Sequence, residues 1–93
     1  MPDYIYGNFV WDLDKEALNI EKHGFGFMKA SQAFLDQNRV IAVDEAHSRT
    51  EERYFCLGVV DGKVMTVRFT YRENKIRIHG AGMWRKGKKH YDK

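Results

Sequence analysis

Residues 11–24 read WDLDKEALNIEKHG, and this stretch decides the fold because it predicts one short helix with both ends marked. Asp12 is a typical N-cap residue, since its carboxylate accepts hydrogen bonds from the free amides of the first turn. Lys22 and His23 supply the positive charge that suits the last turn. Gly24 is the residue expected just beyond the C-terminal end. Apolar residues recur at helical spacing and predict a stripe that faces the core: Leu13, Ala17, Ile20 and Gly24.

The rest of the chain predicts one α+β domain over residues 1–93. A second helix is expected over residues 27–36, and Asp61-Gly62 is a strong hairpin turn. Alternating or β-branched segments predict strands at 4–11, 39–44, 53–60, 64–71 and 75–79. The predicted fold is an antiparallel sheet of about four strands, with the two N-terminal helices on one face and a short basic C-terminal helix or tail.

Composition and charge limit the classes of protein to which this chain can belong. The 93 residues contain no apolar run long enough for a membrane helix and no signal peptide pattern. The single Cys56 excludes an internal disulfide and predicts a cytoplasmic protein. Residues 1–74 hold 9 Lys and Arg against 12 Asp and Glu, whereas residues 75–93 hold 7 against one. The basic C-terminal segment indicates either a polyanionic partner or a solvated tail.

Basic side chains alternate along the last two strands, which predicts that they share the sheet face away from the helices. These residues are Arg68, Arg72, Arg77 and His79. Such a face is suited to binding phosphate groups. The four histidines lack the spacing of a metal site, and no glycine loop for a cofactor phosphate is present, so no metal or cofactor is expected.

The remaining residue types match RNA cleavage without a metal. A base takes the proton of the 2′-hydroxyl, an acid protonates the leaving 5′-oxygen, and guanidinium groups stabilise the phosphoryl charge. The candidates for proton transfer are His23, His79 and Glu52, and those for charge stabilisation are Arg72, Arg77 and Arg85. The candidates for proton transfer have structural alternatives: a helix cap for His23, an ordinary surface position for His79, and an ion pair with Arg53 for Glu52. RNA contacts are predicted for Arg68, His79, Lys86, Lys88, Lys89 and Tyr91.

Several short motifs, in order, resemble the BrnT family of bacterial ribonuclease toxins. They are Trp11-Asp12, Lys15, Asn19, Lys22-His23-Gly24, Glu52-Arg53, Val67-x-Phe69-Thr70 and Ile76-Arg77-Ile78. The resemblance implies a RelE-like fold, RNA cleavage, and a place for Lys22 beside His23 among the candidate catalytic residues. It also implies neutralisation by a BrnA-like ribbon-helix-helix antitoxin in a heterotetramer, with DNA contacted only through the antitoxin.

The sequence departs from the family pattern at the predicted site. Gly80-Ala81-Gly82 stands where most members have a Ser-Ala-Arg-like segment, so no side chain is present at the arginine position. Arg85 is the nearest arginine that could replace it. The alternative function is therefore a non-catalytic relative that binds RNA or the antitoxin.

Overall fold

The structure is a computed structural model that describes residues 2–93. Over these residues the chain forms six strands, three α-helices and two 3₁₀ turns. The strands are β1 (Asp3–Tyr6), β2 (Phe9–Asp12), β3 (Val40–Val43), β4 (Tyr54–Val60), β5 (Lys63–Arg72) and β6 (Lys75–Gly82). The helices are α1 (Leu13–His23), α2 (Phe27–Ser31) and α3 (Arg85–Tyr91), and the 3₁₀ turns are Gln32–Leu35 and Glu45–His47.

The strands of residues 2–93 form one mixed sheet in the order β1-β2-β6-β5-β4-β3. The α+β class is confirmed, but the prediction of about four antiparallel strands is wrong. Gly7, at φ 60°, turns the chain back, so the expected strand over residues 4–11 is a hairpin of β1 and β2. β2 then pairs parallel with β6, placing Trp11 opposite Ile78.

Two further short turns of the sheet follow the local sequence closely. Asp61 and Gly62 have φ values of 51° and 78°, as a tight hairpin between β4 and β5 requires. Glu73 and Asn74, at 53° and 64°, make the same kind of turn between β5 and β6. The predicted meander of β4, β5 and β6 is confirmed.

The second helix is shorter than predicted, because α2 ends at Ser31 and continues as a 3₁₀ turn. The Ser31 hydroxyl donates to the Met28 carbonyl at 2.6 Å, a local bond that competes with regular helix geometry. The turn then brings the Ala33 carbonyl against Gly58 of β4, where a Cβ atom would collide with it.

One apolar core lies between the sheet and the segment 25–35, which includes α2 and the first 3₁₀ turn. Trp11, Phe27, Phe69 and Ile78 are among its fully buried side chains. The Glu16 carboxylate accepts hydrogen bonds from Trp11 Nε1 at 3.1 Å and from the Phe27 amide at 2.8 Å, and so joins β2, α1 and α2. Cys56 is also buried, which raises the pKa of its thiol to about 12 and confirms it as a structural residue.

Both ends of α1 are confirmed, but its buried face is not the predicted one. The Asp12 carboxylate caps the first turn, and Gly24 adopts φ 82° beyond the last. Ile20 is 49% exposed and Leu13 is 39% exposed, whereas Asn19 is only 7% exposed. β2 leads directly into α1, which runs beside β6 beyond Ile78, the last β6 residue paired with β2. A polar side chain is therefore needed at this place in α1 to form hydrogen bonds with the unpaired backbone groups of β6.

The short basic helix at the C-terminal end is confirmed as α3, and it packs on the sheet face opposite the core helices. Gly87 lies directly against the Thr66 side chain, where a Cβ atom would not fit. The Tyr91 hydroxyl donates to the Asp36 carboxylate and anchors the end of α3. None of the helices within residues 2–93 has the length and apolar character needed to cross a membrane.

Candidate active site

Three polar residues of α1, spaced four apart, lie along the second half of β6. Lys15 Nζ is 3.3 Å from His79 Nδ1. Asn19 accepts from the Ala81 amide at 3.0 Å and donates to the Phe25 carbonyl at 3.2 Å. The His23 ring lies 5.3 Å from the Trp84 ring, centroid to centroid. Side chains at this spacing share one face of a helix, so the strip of α1 along β6 is polar and basic.

His79 is the centre of this arrangement. Since an ammonium group only donates, Nδ1 is the acceptor for Lys15, and Nε2 carries the proton and donates to Thr70 Oγ1 at 3.0 Å. Burial, and after it the positive charges of Lys15, Arg53 and Arg72, lower the pKa of His79 to about 4. The imidazole is therefore neutral at pH 7.

Arg68 places its guanidinium group next to the residue that follows this histidine. It lies over Gly80, so closely that a Cβ atom at position 80 would collide with the guanidinium nitrogen atoms. Within residues 2–93, Arg68 pairs with no carboxylate, and its buried Nε atom has no hydrogen-bond partner. A partly buried cation without an anionic partner is suited to binding a phosphate group.

The other two arginines of this face are held by carboxylates. Arg72 forms an ion pair with Glu51, and Arg77 forms one with Asp3 at 2.6 Å. These contacts hold the pKa values of Glu51 and Asp3 below their usual range. Both guanidinium groups add positive charge to the face, but both already have partners.

Several predicted site residues lie away from His79. Eight residues separate Lys15 from His23, or about 12 Å along the helix axis, so Lys22 and His23 lie at the other end of α1. Glu52 is exposed and accepts from the Tyr54 hydroxyl at 2.8 Å.

The predicted residues of the C-terminal segment lie on α3. They are Arg85, Lys86, Lys88, Lys89 and Tyr91. Lys88 pairs with Asp92 at 2.8 Å, and the Tyr91 hydroxyl is bonded to Asp36, so these two side chains already have partners in the chain.

Gly82, which stands at the arginine position of the family pattern, has no room for a side chain. The Trp84 ring covers Gly82, where a Cβ atom would lie 2.7 Å from a ring carbon. Trp84 is 41% exposed and does not belong to the buried core. Arg85 begins α3 immediately afterwards, whereas the guanidinium group nearest the glycine segment is that of Arg68.

Sequence reasoning missed two residues at this site, Lys15 and Thr70. A signal for Lys15 was available, because a cation in the first turn of a helix opposes the helix dipole. Thr70 gave a weaker signal as one more polar position in an alternating strand. Within the part of the chain that the structure describes, no three His, Cys, Asp or Glu side chains converge as metal ligands would.

A family model described as ribonuclease toxin, BrnT, of type II toxin-antitoxin system matches residues 11–87. The match extends from Trp11 of β2 into α3 and includes the polar strip of α1 and all of β6. No curated protein matches the chain.

Proposed function

Since the match spans most of its length, the chain belongs to the BrnT family of ribonuclease toxins of type II toxin-antitoxin systems, and we propose that it cleaves RNA at the cluster around His79. The observation that carries this proposal is the neutral His79, hydrogen-bonded to Lys15 and Thr70, with the unpaired guanidinium group of Arg68 over the next residue, Gly80. A proton acceptor and an unpaired cation are thus held at consecutive residues of β6.

His79 is the proposed general base. Its acceptor atom, Nδ1, faces Lys15 in the unbound chain. A scissile phosphate bound by Lys15 and Arg68 would draw the ammonium group away and expose that nitrogen to the 2′-hydroxyl. The negative charge of the phosphate also favours the imidazolium form, so the pKa of His79 rises towards the working pH when RNA binds.

Lys15 is the proposed acid, because its ammonium group is the donor closest to the base. It would protonate the leaving 5′-oxygen while Arg68 stabilises the charge on the phosphoryl oxygens. This chemistry requires no metal ion. Arg72 and Arg77 contribute charge from fixed positions, set by their ion pairs with Glu51 and Asp3.

The remaining predicted residues are proposed to contact RNA on either side of the cleaved bond. Lys22 and His23 lie at one end of the polar strip of α1, and Glu52 lies just before β4, where it is bonded to Tyr54. Cations of α3, including Arg85, extend the positive surface across the same side of the sheet.

Family membership implies an antitoxin partner as well as an RNA target. We propose that the antitoxin is BrnA-like, with a ribbon-helix-helix dimer that carries the toxin in a heterotetramer and makes the DNA contacts. The basic character of residues 75–93 supports binding to a polyanion or to an acidic partner segment.

A second function, RNA or antitoxin binding without cleavage, is favoured by one observation. Trp84 occupies the space over Gly82, so no side chain can act from that position. Cleavage would then depend on whether the guanidinium group of Arg68 replaces the missing one.

RNA cleavage by the purified chain tests the proposal. We expect wild-type protein to give fragments ending in 2′,3′-cyclic phosphate, and Arg68→Gln to lower the rate by about 10²-fold. Arg49→Gln, which changes an exposed arginine outside the cluster, is the matched control. Intact RNA with salt-sensitive binding would instead establish the non-catalytic function.

A further inference from the structure

A groove lies between α3 and the β3 edge of the sheet, on the face opposite the core helices. Its volume is about 670 Å³. The floor includes Ala42, Phe55 and Leu57, and α3 with the residues after it contributes a basic wall of Lys86, Lys89, His90 and Lys93. The proposed cleavage mechanism does not use this groove.

The floor of the groove is apolar. Leu57 is 4% exposed, and the one hydroxyl of the lining, that of Thr66, is covered by Gly87. A nucleobase placed here would lose its hydrogen bonds to water without finding replacements on these side chains. Aliphatic or aromatic protein side chains would lose nothing comparable, so the floor favours a polypeptide over RNA.

The wall of the groove is positively charged and largely uncompensated. Among residues 2–93, Lys86, Lys89 and Lys93 form no ion pair, whereas Lys88 pairs with Asp92. An occupant with carboxylates next to apolar side chains would satisfy both the wall and the floor.

The open side of the groove is an edge of the sheet. β3 pairs only with β4 within the described chain, so its outer backbone groups have no strand partner. Ile41 and Val43 of this strand are 41% and 44% exposed. An exposed apolar edge is a template for an added strand, whose alternate side chains would lie beside the groove.

We propose that the groove binds an extended, acidic segment of a partner protein, which adds to β3 and places apolar side chains on the floor and carboxylates against α3. The identification of this partner as the antitoxin rests on the proposed function. Because Lys86 and Lys89 are also proposed RNA contacts, the bound segment would shield cations that the substrate needs.

Titration calorimetry of the full chain with the proposed BrnA-like antitoxin tests this proposal. Ala42→Glu places a carboxylate on the floor, and we expect it to weaken binding by at least about tenfold. Lys93→Glu changes an exposed position without risk to folding, and we expect about threefold weaker binding with a smaller salt dependence. Ala17→Glu, at an exposed alanine of α1, is the matched control and should bind as wild type.

If Ala42→Glu does not fold, Lys93→Glu decides the result. Wild-type affinity in the folded variants would overturn the proposal, as would loss of binding in Ala17→Glu alone, which would place the partner on α1. Weaker RNA binding with unchanged antitoxin binding would assign the groove to RNA and also overturn it. Cleavage by the free chain is measured separately, so a chain that does not cut RNA but still binds antitoxin through the groove would refute only the proposed activity.

Discussion

Lys15 Nζ lies 3.3 Å from Nδ1 of His79, although 64 positions separate the two residues in the chain. The contact joins the first turn of α1 to β6 at the irregular register opposite Arg68 and Phe69 of β5. Because the ammonium group donates to Nδ1, it fixes the proton of the neutral ring on Nε2. This pair therefore determines the tautomer of the proposed base, and together with burial it keeps the ring neutral.

Removing the ammonium group should raise the pKa of His79. Lys15→Met removes a positive charge that disfavours the imidazolium form, while burial, the larger cause, remains. We expect the pKa to rise above about 4 and stay below 6.5. Histidine chemical shifts in an NMR titration measure it, with Lys22→Met, at the far end of α1, as the control. An unchanged pKa would contradict the contact.

Acid should destabilise the protein through the same histidine. The folded pKa of about 4 lies below the ordinary value of 6.5, so the unfolded chain binds the proton more readily. This contribution to the free energy of unfolding is complete above pH 6.5 and is lost as the pH falls from 6.5 to 4. We expect a loss of up to about 2 kcal/mol, allowing for partial exposure of the ring.

Urea unfolding of wild type and His79→Gln at pH 7 and pH 4.5 measures this loss. Glutamine does not titrate in this range, so the variant should lose less stability than wild type between the two pH values. Equal losses in the two proteins would exclude His79 as the source.

Asn19→Ala should destabilise the protein, because it leaves the Ala81 amide and the Phe25 carbonyl without their partner. The site is buried, so we expect a loss of about 2 kcal/mol in the free energy of unfolding. Asn38→Ala, in an exposed turn, serves as the comparison and should lie close to wild type. Chemical denaturation measures both, and a loss no larger than in Asn38→Ala would refute the role of Asn19.

Gly80→Ala should impair RNA cleavage through Arg68. The added methyl group collides with the guanidinium group and displaces it, so we expect a rate about tenfold lower. In a chain that already carries Arg68→Ala, the same glycine change should have little further effect, since nothing remains to be displaced. Cleavage rates of the two single variants and the double variant test this. Additive losses would mean that Gly80 acts independently of Arg68.

Tyr91→Phe should raise the pKa of Asp36, because the tyrosine hydroxyl is the main group that lowers it. The backbone amides of Val59 and Asn38 still donate to this carboxylate, so its pKa should remain below the ordinary value. Carboxyl chemical shifts followed by NMR give the measurement. If the pKa does not move, α3 is not anchored at Asp36 in solution.

Much of the local structure was predictable because neighbouring residues determine it. Asp12 and Gly24 mark the ends of α1. Asp61-Gly62 forms a hairpin turn through its own backbone conformation, whatever packs against the two strands. Alternation along β5 also placed Arg68 and Arg72 on one face, since side chains of a strand alternate. The same reasoning failed for α1, whose apolar residues are exposed because its neighbour is the polar edge of β6.

The sequence by itself determined the helix ends, the tight turns, the basic C-terminal segment and the motifs that identify the family, all of which depend on residues close together in the chain. The tertiary structure decided which of the basic residues meet. Parallel pairing of β2 with β6 carries α1 alongside His79, and the absence of a side chain at Gly80 lets the Arg68 guanidinium group lie over the next residue of the strand. Both depend on contacts between distant segments, for which neither periodicity nor composition holds a signal.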